Sequence, residues 1–264
     1  MFYGSDFIFN NISSQLYDLR ILNFETSGVQ NSSAGSESTL FQKWVYRKPK
    51  PYFYGRSQNI PLEFDLEIGS FDPIAGFSRT AIEEWLLSKS TYLPFQVVQE
   101  DISKVIFDVI FSKGENKYVG NIQRGMTLHG KCNAPWGYES PKTLIKTYVG
   151  GGIAYETFNF YNGSDDSEYL YPQINFTMNG GGNYFTLTNT SDNNRIFSFT
   201  GLSTGEVMTV DNNLQQMISS TGLLRMDNFN RKFFRLIPGM NVLILTGGIS
   251  NFNMTYSFAR KVGV

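Results

Sequence analysis

Residues 235–260 read RLIPGMNVLILTGGISNFNMTYSFAR, and this stretch decides the fold prediction. Its first half contains an apolar run, residues 242–245, which follows the turn-forming Pro238–Asn241 and is separated by Thr246 from a glycine pair. In its second half apolar and polar residues alternate, which places four side chains on one face of a strand: Phe252, Met254, Tyr256 and Phe258. We predict one strand over residues 252–260, half-buried in an antiparallel sandwich.

Short strands separated by turn formers continue this pattern towards the N-terminus. The sequence predicts strands at 195–200 and 206–210, and earlier ones at 157–161, 173–178 and 184–189. Their regular spacing is typical of a β-sandwich or a jelly roll. The predicted fold class is therefore mainly β.

The first part of the chain is also predicted to be β-rich, with a single helix. Its clearest strand is Pro61–Ile68, in which apolar and acidic residues alternate. We expect Ser78 to be the N-cap of the helix, with Glu83 and Glu84 near the helix start. Further strands are predicted on either side of a turn at 4–6 and at 19–24, 95–98, 105–111 and 118–122.

Turn-forming residues between 130 and 141 indicate a break in the chain. We predict two domains: residues 1–131, a β domain with one helix, and residues 132–264, a β-sandwich. A Gly/Ser/Asn-rich segment at 27–38 is predicted to be a flexible loop.

Composition and charge argue against several classes of protein. Lys and Arg (22) nearly balance Asp and Glu (23), so the chain lacks the basic excess of proteins that bind nucleic acid. The single Cys132 cannot close an intrachain disulfide, and the first residues do not resemble a secretory signal. No apolar run reaches the roughly eighteen residues of a membrane span. We expect folding in a reducing cytoplasm and no partner that is a nucleic acid or a membrane.

Histidine and cysteine are too few for the common catalytic and metal sites. His129 is the only histidine, which excludes a multi-histidine site within one chain. His129 and Cys132 together supply two of the four ligands that a closed zinc site needs. The sequence therefore predicts no metal site.

Two other groups of residues are candidates for a catalytic or binding site. Asp165, Asp166 and Glu168 offer the paired carboxylates of a glycosidase, but they lie in a loop without the spacing of a calcium site. The glycine triplets at 150–152 and 180–182 lack the Lys-Ser/Thr of a phosphate-binding loop and indicate turns. We expect no catalytic residue, no cofactor and no enzyme activity, and we favour a binding or assembly protein.

Residues 43–55, KWVYRKPKPYFYG, combine basic and aromatic side chains with two prolines. Proline removes a donor from a strand ladder, so this segment suits an edge strand or an arm. One interpretation is an edge strand that Lys and Pro protect against aggregation. The other is an arm that packs on a neighbouring subunit through five aromatic residues: Trp44, Tyr46, Tyr52, Phe53 and Tyr54.

Several short motifs lie in a characteristic order along the chain. The first part contains FIFNN (7–11) before residues 19–21, PYFYG (51–55) before the strand at 61–68, a helix at 78–87 and CNAPWGY at 132–138. The second part contains YPQI (171–174), LTN (187–189), a Gly-Glu pair before a strand ending at residue 211, and PGMN (238–241). This order resembles the distal tail proteins of long-tailed, non-contractile bacteriophages.

The resemblance implies more than composition or spacing does. It implies that the first domain assembles into a hexameric ring at the distal end of the tail tube and that the second is a galectin-like β-sandwich outside that ring. The expected partners are further copies of the chain, the tail tube protein, the tail-tip protein and receptor-binding proteins. The expected location is the tail tip of the virion, after assembly in the host cytoplasm.

Two other functions remain as alternatives at this point. A galectin-like sandwich can bind the sugars of a host cell wall through polar residues and an aromatic platform on one sheet. A glycosidase using residues 165–168 is the third hypothesis.

Overall fold

The computed structural model describes Phe2 and residues 4–22, 39–57, 60–100, 102 and 104–261. The chain divides into two compact units, one formed by Met1–Ser140 together with Arg260–Val264 and the other by Pro141–Ala259. Each unit has an apolar core of its own. The fold is mainly β, as the sequence predicts. The predicted loop at 27–38 lies outside the described residues.

The described residues of the first unit form one large sheet, one two-stranded hairpin and one helix. Its elements are β1 (Asp6–Phe9), β2 (Ile12–Ser13), β3 (Arg20–Ile21), β4 (Thr39–Lys43), β5 (Tyr52–Ser57), β6 (Glu63–Gly69), α1 (Gly76–Leu87), β7 (Leu93–Val98), β8 (Val105–Val119), β9 (Ile122–Cys132) and β10 (Gly137–Glu139), with a 3-10 turn at Ser14–Tyr17. The large sheet has the strand order β2-β1-β7-β8-β9-β6-β3, and β10 pairs with β8. A short strand near the end of the chain, Ala259–Arg260, pairs with β10.

The core of the first unit lies between this sheet and α1. Leu62, Phe64, Leu66 and Ile68 are buried, so the predicted alternation of β6 is confirmed. From the helix, Trp85 stacks on Phe7 with ring centroids 5.7 Å apart, and its Nε1 donates a hydrogen bond to the carbonyl of Phe9 at 3.1 Å. Ile82 and Leu86 complete the buried face of α1.

The predicted start of the helix was wrong. Ala75 is the N-cap and makes no side-chain capping bond, so Ser78 lies inside α1. The N–H of Ile74 donates to the carbonyl of Gln123, and this tertiary bond brings the chain to the helix start without a capping side chain. Glu83 and Glu84 consequently lie past the middle of α1, where the helix dipole has little effect.

Two turns of the first unit also differ from the prediction. The first hairpin turns at Asn10 and Asn11, which both have positive φ (51° and 61°), and not at residues 4–6. Asparagine tolerates this left-handed conformation, which two-residue hairpins require. The predicted strand at 118–122 contains the turn between β8 and β9, because Gly120 has a φ of +60° and Val119 pairs with Ile122.

The second unit is a sandwich of two antiparallel sheets. Its strands are β11 (Lys142–Thr147), β12 (Ala154–Asn162), β13 (Gln173–Met178), β14 (Tyr184–Asn189), β15 (Arg195–Thr200), β16 (Val207–Asp211), β17 (Gln216–Ser219), β18 (Gly239–Gly247) and β19 (Ile249–Tyr256). The short strand Ala259–Arg260, which pairs with β10, is numbered β20. One sheet has the order β11-β19-β13-β16-β17 and the other β12-β18-β14-β15.

The alternating stretch that decided the fold prediction is buried at one end and half-buried at the other. Phe252 and Met254 are buried, whereas Tyr256 and Phe258 are only partly buried against the same core. The single strand predicted over 252–260 was wrong in length, because β19 ends at Tyr256 and β20 is separate. Around Phe252, the rings of Phe176 and Phe185 stack with their centroids 4.0 Å apart.

The two glycine triplets lie against each other. The side-chain amide of Asn179 donates to the carbonyls of Gly150 (3.1 Å) and Gly152 (2.9 Å). A Cβ on Gly181 would lie 2.3 Å from the carbonyl oxygen of Gly151, so only glycine fits there. The triplets are turns, as predicted, and they are also a close contact between two backbones.

Among the described residues, no helix is both long and apolar enough to cross a membrane.

Candidate interaction surface

The aromatic segment predicted as an arm forms a hairpin of its own. Strands β4 and β5 pair from Thr39 opposite Ser57 to Lys43 opposite Tyr52, with a register shift between Phe41 and Gln42. Within the described part of the chain these two strands pair only with each other. We call residues 39–57 the aromatic hairpin.

The aromatic hairpin exposes both of its faces. Neighbouring residues of a strand point to opposite faces, and Tyr52, Phe53 and Tyr54 are all exposed. Phe41 of β4 is exposed as well. A two-stranded hairpin is marginally stable by itself, and one without a buried face gains little from its own apolar side chains. This surface therefore has the properties of one that is covered in an assembly.

The connection between the two strands carries the remaining aromatic side chains and most of the charge. Trp44 is exposed, and Tyr46 is 86% exposed. Arg47 has a positive φ of 63°, and its guanidinium lies 5.2 Å from the centroid of the Tyr46 ring. Between Thr39 and Gly55 the sequence contains four basic residues and no acidic one: Lys43, Arg47, Lys48 and Lys50.

All five predicted site residues thus lie on one hairpin, and the structure adds Leu40 and Phe41 to them. Sequence analysis missed this pair because β4 is only five residues long and follows a segment without periodicity. The Pro-Tyr-Phe-Tyr-Gly motif could have indicated the pair, because a strand at this motif needs a partner strand and the chain before it is the nearest candidate.

His129 and Cys132, the two candidate metal ligands of the sequence, are on opposite faces of β9. His129 is half-exposed, and its Nδ1 lies 2.9 Å from an oxygen of Asp65. Cys132 is fully buried, and burial raises the pKa of its thiol to about 12, with the charge of Asp108 adding to the effect. The described residues contain no group of three or more side chains that could hold a metal ion.

Asp165, Asp166 and Glu168 form part of a series of turns. The N–H of Asp166 donates to Oγ of Ser164 at 3.3 Å, and the N–H of Glu168 donates to Oδ1 of Asp166 at 3.2 Å. Asp165 and Glu168 are exposed. This geometry is that of a solvated loop, in agreement with the sequence interpretation of these residues as a turn.

One buried ion pair, which the sequence did not predict, fixes a loop of the second unit. Arg225 makes two hydrogen bonds to Glu206, at 2.8 and 2.7 Å, and both side chains are almost completely buried. Burial opposes the charge of Glu206, but Arg225, the hydroxyl of Ser219 and the N–H of Ser203 stabilise it, so the pKa of Glu206 is lower than usual. The pair anchors residues 220–226 beside β17.

Comparison with solved structures finds a phage protein of the same fold. The Dit (gp 19.1) protein of SPP1, described as a paradigm of the hub adsorption apparatus in phages that infect Gram-positive bacteria, superposes with a TM-score of 0.69. The match covers 96% of this chain and 98% of that chain, at 13% sequence identity. At this identity the match shows the fold, and it confirms the fold that the sequence motifs implied.

Family models then give the assignment. Residues 2–134 match the family described as phage tail protein N-terminal domain, and residues 136–256 match the one described as phage tail C-terminal domain. The chain therefore belongs to this family of phage tail proteins and is a structural component of the tail. No curated protein sequence matches the chain.

Proposed function

We propose that the chain is the distal hub of the phage tail. In this proposal its first domain, residues 1–131, assembles into a ring of six copies. The ring joins the tail tube protein to the tail-tip protein and carries the receptor-binding proteins that contact the host. The role is structural, and no step of it requires a catalytic residue, a metal or a cofactor.

The observation that carries this proposal is the exposure of the aromatic hairpin on both faces. A closed ring needs a contact in which one surface of each subunit meets a different surface of the next. Tyrosine, tryptophan and arginine are enriched in the cores of such contacts. The hairpin presents Trp44, Tyr46, Tyr52 and Tyr54 together with basic side chains, and thus supplies one side of a head-to-tail contact.

The fold of the SPP1 Dit protein supports the same proposal, because that protein is described as a hub of an adsorption apparatus. The two proteins match over almost their whole lengths. A fold shared over nearly the whole chain favours a shared position in the tail.

Native mass measurement of the purified chain, with electron microscopy of the same sample, tests the ring. We expect a closed oligomer of the wild-type chain and a shift to monomers for the double variant Tyr52→Ala/Tyr54→Ala. The matched control is Tyr155→Ala/Tyr161→Ala, which removes two tyrosines from β12 of the second unit that are also exposed.

The outcomes are distinct. A wild-type chain that stays monomeric at every concentration contradicts the ring. If the Tyr52→Ala/Tyr54→Ala variant still forms the ring, the proposal of a ring stands, but the aromatic hairpin is not part of the ring interface. Loss of the oligomer in both double variants would indicate a general effect of removing exposed tyrosines.

Carbohydrate binding by the second unit is a second candidate. Its supporting observation is the outward face of β12, where two exposed tyrosines flank uncharged polar residues: Tyr155, Thr157, Asn159 and Tyr161. Aromatic rings with nearby hydroxyl and amide groups suit a sugar. Calorimetric titration with cell-wall saccharides separates the candidates, because a purely structural hub gives no heat and a sugar site loses its heat in Tyr155→Ala/Tyr161→Ala.

A further inference from the structure

The second unit has four edge strands, two for each sheet. An edge strand presents unpaired backbone N–H and C=O groups, to which another extended chain can pair. Natural proteins protect such edges with charged side chains, prolines or a covering segment. In this sandwich three edges are protected in these ways, and the fourth, β17, is not.

Strand β15 is covered by the segment that follows the 3-10 turn at Met226–Asn228. The N–H of Asn230 donates to the carbonyl of Ser198 at 3.1 Å, and its side-chain amide donates to the carbonyl of Ile196 at 2.8 Å. Phe229 forms a bridge with Phe199. Another chain could reach this edge only by displacing the covering segment.

Strands β11 and β12 are protected by charge. Lys146 of β11 forms an ion pair with Glu156 of β12, and the hydroxyl of Tyr148 donates to the same carboxylate at 2.7 Å. Lys142 adds a second positive charge to β11. Charged side chains on an edge oppose the approach of an apolar strand, because the strand would have to desolvate them.

Strand β17 has neither kind of protection. Residues 212–224, NNLQQMISSTGLL, contain no charged residue and no proline. Within the described ranges β17 pairs with β16 alone. On its other side the carbonyl of Ser219 accepts a hydrogen bond from the N–H of Gly222 in the following turn, so the free edge is centred on Met217. Ser220 donates its N–H to the carbonyl of Val207, and the alternation of an antiparallel ladder then directs the backbone groups of Met217 away from β16.

The free edge is bordered by exposed apolar side chains. Ile218 is 71% exposed and Leu224 is 96% exposed, and Leu214 and Leu223 are exposed as well. Leu224 directly precedes Arg225, which the buried Glu206 holds in place. The leucines are therefore displayed by an anchored loop.

We propose that the β17 edge accepts an extended, uncharged segment of another tail protein as an additional strand. This inference rests on the proposed function and names where a carried protein attaches. The N–H and C=O of Met217 would supply hydrogen bonds to the new strand, while Ile218 and the two leucines at 223 and 224 would contact its apolar side chains.

A second copy of this chain fits the edge less well than a different protein. Pairing of one β17 with another β17 is a two-fold contact, which closes on itself as a pair. A ring instead repeats one head-to-tail contact around an axis. The β17 edge is therefore available to a protein other than this chain once the ring has formed.

The sheet provides a matched control for the test. Ile218 pairs with Thr209, Thr209 with Asn175, Asn175 with Asn253, and Asn253 with Ile145. Ile218 and Ile145 thus stand at the two ends of one row across the same sheet, and Ile145 is 64% exposed. Ile218 lies on the unprotected edge strand β17, whereas Ile145 lies on the charged edge strand β11.

The test introduces a photoreactive phenylalanine analogue at position 218 or 145 of the full chain and irradiates purified phage tails that contain it. We expect cross-links from position 218 to a different tail protein, and at least about tenfold fewer from position 145. In tails containing Ile218→Lys the retained amount of that protein should fall about tenfold, which corresponds to about 1.4 kcal/mol of binding free energy. Ile145→Lys should leave it unchanged.

Each other result overturns the proposal. Cross-links from position 218 to another copy of this chain would show a self-contact. The absence of any cross-link from position 218 would show that no protein occupies the edge. Equal cross-linking from both positions shows a surface that is not specific to β17. If the chain is present in tails and only the cross-link fails, the proposed function stands; if the chain is absent from tails, both fail.

Discussion

The aromatic residues in the core of the second unit and those of the aromatic hairpin have opposite environments. In the second unit Phe176, Phe185 and Phe252 are fully buried, and the rings of Phe185 and Phe252 stack 6.0 Å apart. In the aromatic hairpin of the first unit, Phe53 and Tyr54 are exposed although they occupy opposite faces of β5. The same class of side chain forms a core in one place and an open surface in the other.

The difference lies in what alternates with the aromatic residues. In β13 and β19 the core residues Phe176 and Phe252 are each flanked by Thr or Asn, so that one face of the strand is apolar and can be buried. In the hairpin the aromatic residues are consecutive or separated by Arg, Lys and Pro, so neither face is apolar throughout. Aromatic content alone therefore does not separate a core from an interface, whereas its spacing does.

The largest expected effect is in the core. Phe252→Ala should lower the free energy of unfolding of the second unit by about 3–5 kcal/mol, because it removes a buried ring from a close-packed stack. Denaturant unfolding, followed by far-UV circular dichroism, measures this change. Tyr155→Ala, on an exposed position of the same unit, is the control and should stay within about 0.5 kcal/mol. Equal losses for both variants would contradict the assignment of Phe252 to the core.

The next largest effect concerns a buried charge. Arg225→Met leaves Glu206 buried without its partner and should cost about 3 kcal/mol. Glu206→Gln/Arg225→Met removes both charges and should be less destabilised than the single Arg225→Met variant, as measured by the same unfolding experiment. If the double variant is less stable than Arg225→Met, the charge of Glu206 stabilises the fold even without Arg225, which contradicts the cost assigned to an unpaired buried charge.

The pH dependence of this pair has a definite sign. The folded-state pKa of Glu206 is lower than the ordinary value of 4.5, so its contribution to stability is complete at neutral pH. It is lost as the pH falls below about 4.5 through the folded-state pKa, because the carboxylate takes up a proton and the ion pair breaks. Between pH 6 and pH 3 the free energy of unfolding of the Glu206→Gln variant should therefore decrease less than that of the wild-type chain.

Sequence analysis succeeded where one face of a strand is buried. The alternation in Pro61–Ile68 and at Phe252 and Met254 identified core residues, because burial of a single face imposes a period of two. It failed at Ala75, Asn10 and Gly120, where tertiary hydrogen bonds or backbone conformation fix the ends of elements. A pattern of hydrophobicity does not contain that information.

The candidate surfaces were predictable to different degrees. The aromatic hairpin could be identified in part, because basic, aromatic and proline residues occur together in one segment. The β17 edge could not, because its significance depends on which strands pair with it and on the protection of the other three edges. Those facts are long-range, and four uncharged residues such as Gln216–Ser219 do not indicate by themselves that they end a sheet.

The smallest expected effect on stability is in the aromatic hairpin. If the aromatic hairpin has no inner face, Phe53→Ala and Tyr54→Ala should each change the free energy of unfolding by less than about 0.5 kcal/mol, since neither ring is removed from a packed environment. Thermal unfolding of the isolated chain, below the concentration at which oligomers form, measures both. A hairpin that packs on the rest of its own subunit would instead make one of the two substitutions costly and the other neutral, because adjacent residues of a strand face opposite sides. Equal and small effects would leave contact with another subunit as the reason for six exposed aromatic residues on one hairpin: Phe41, Trp44, Tyr46, Tyr52, Phe53 and Tyr54.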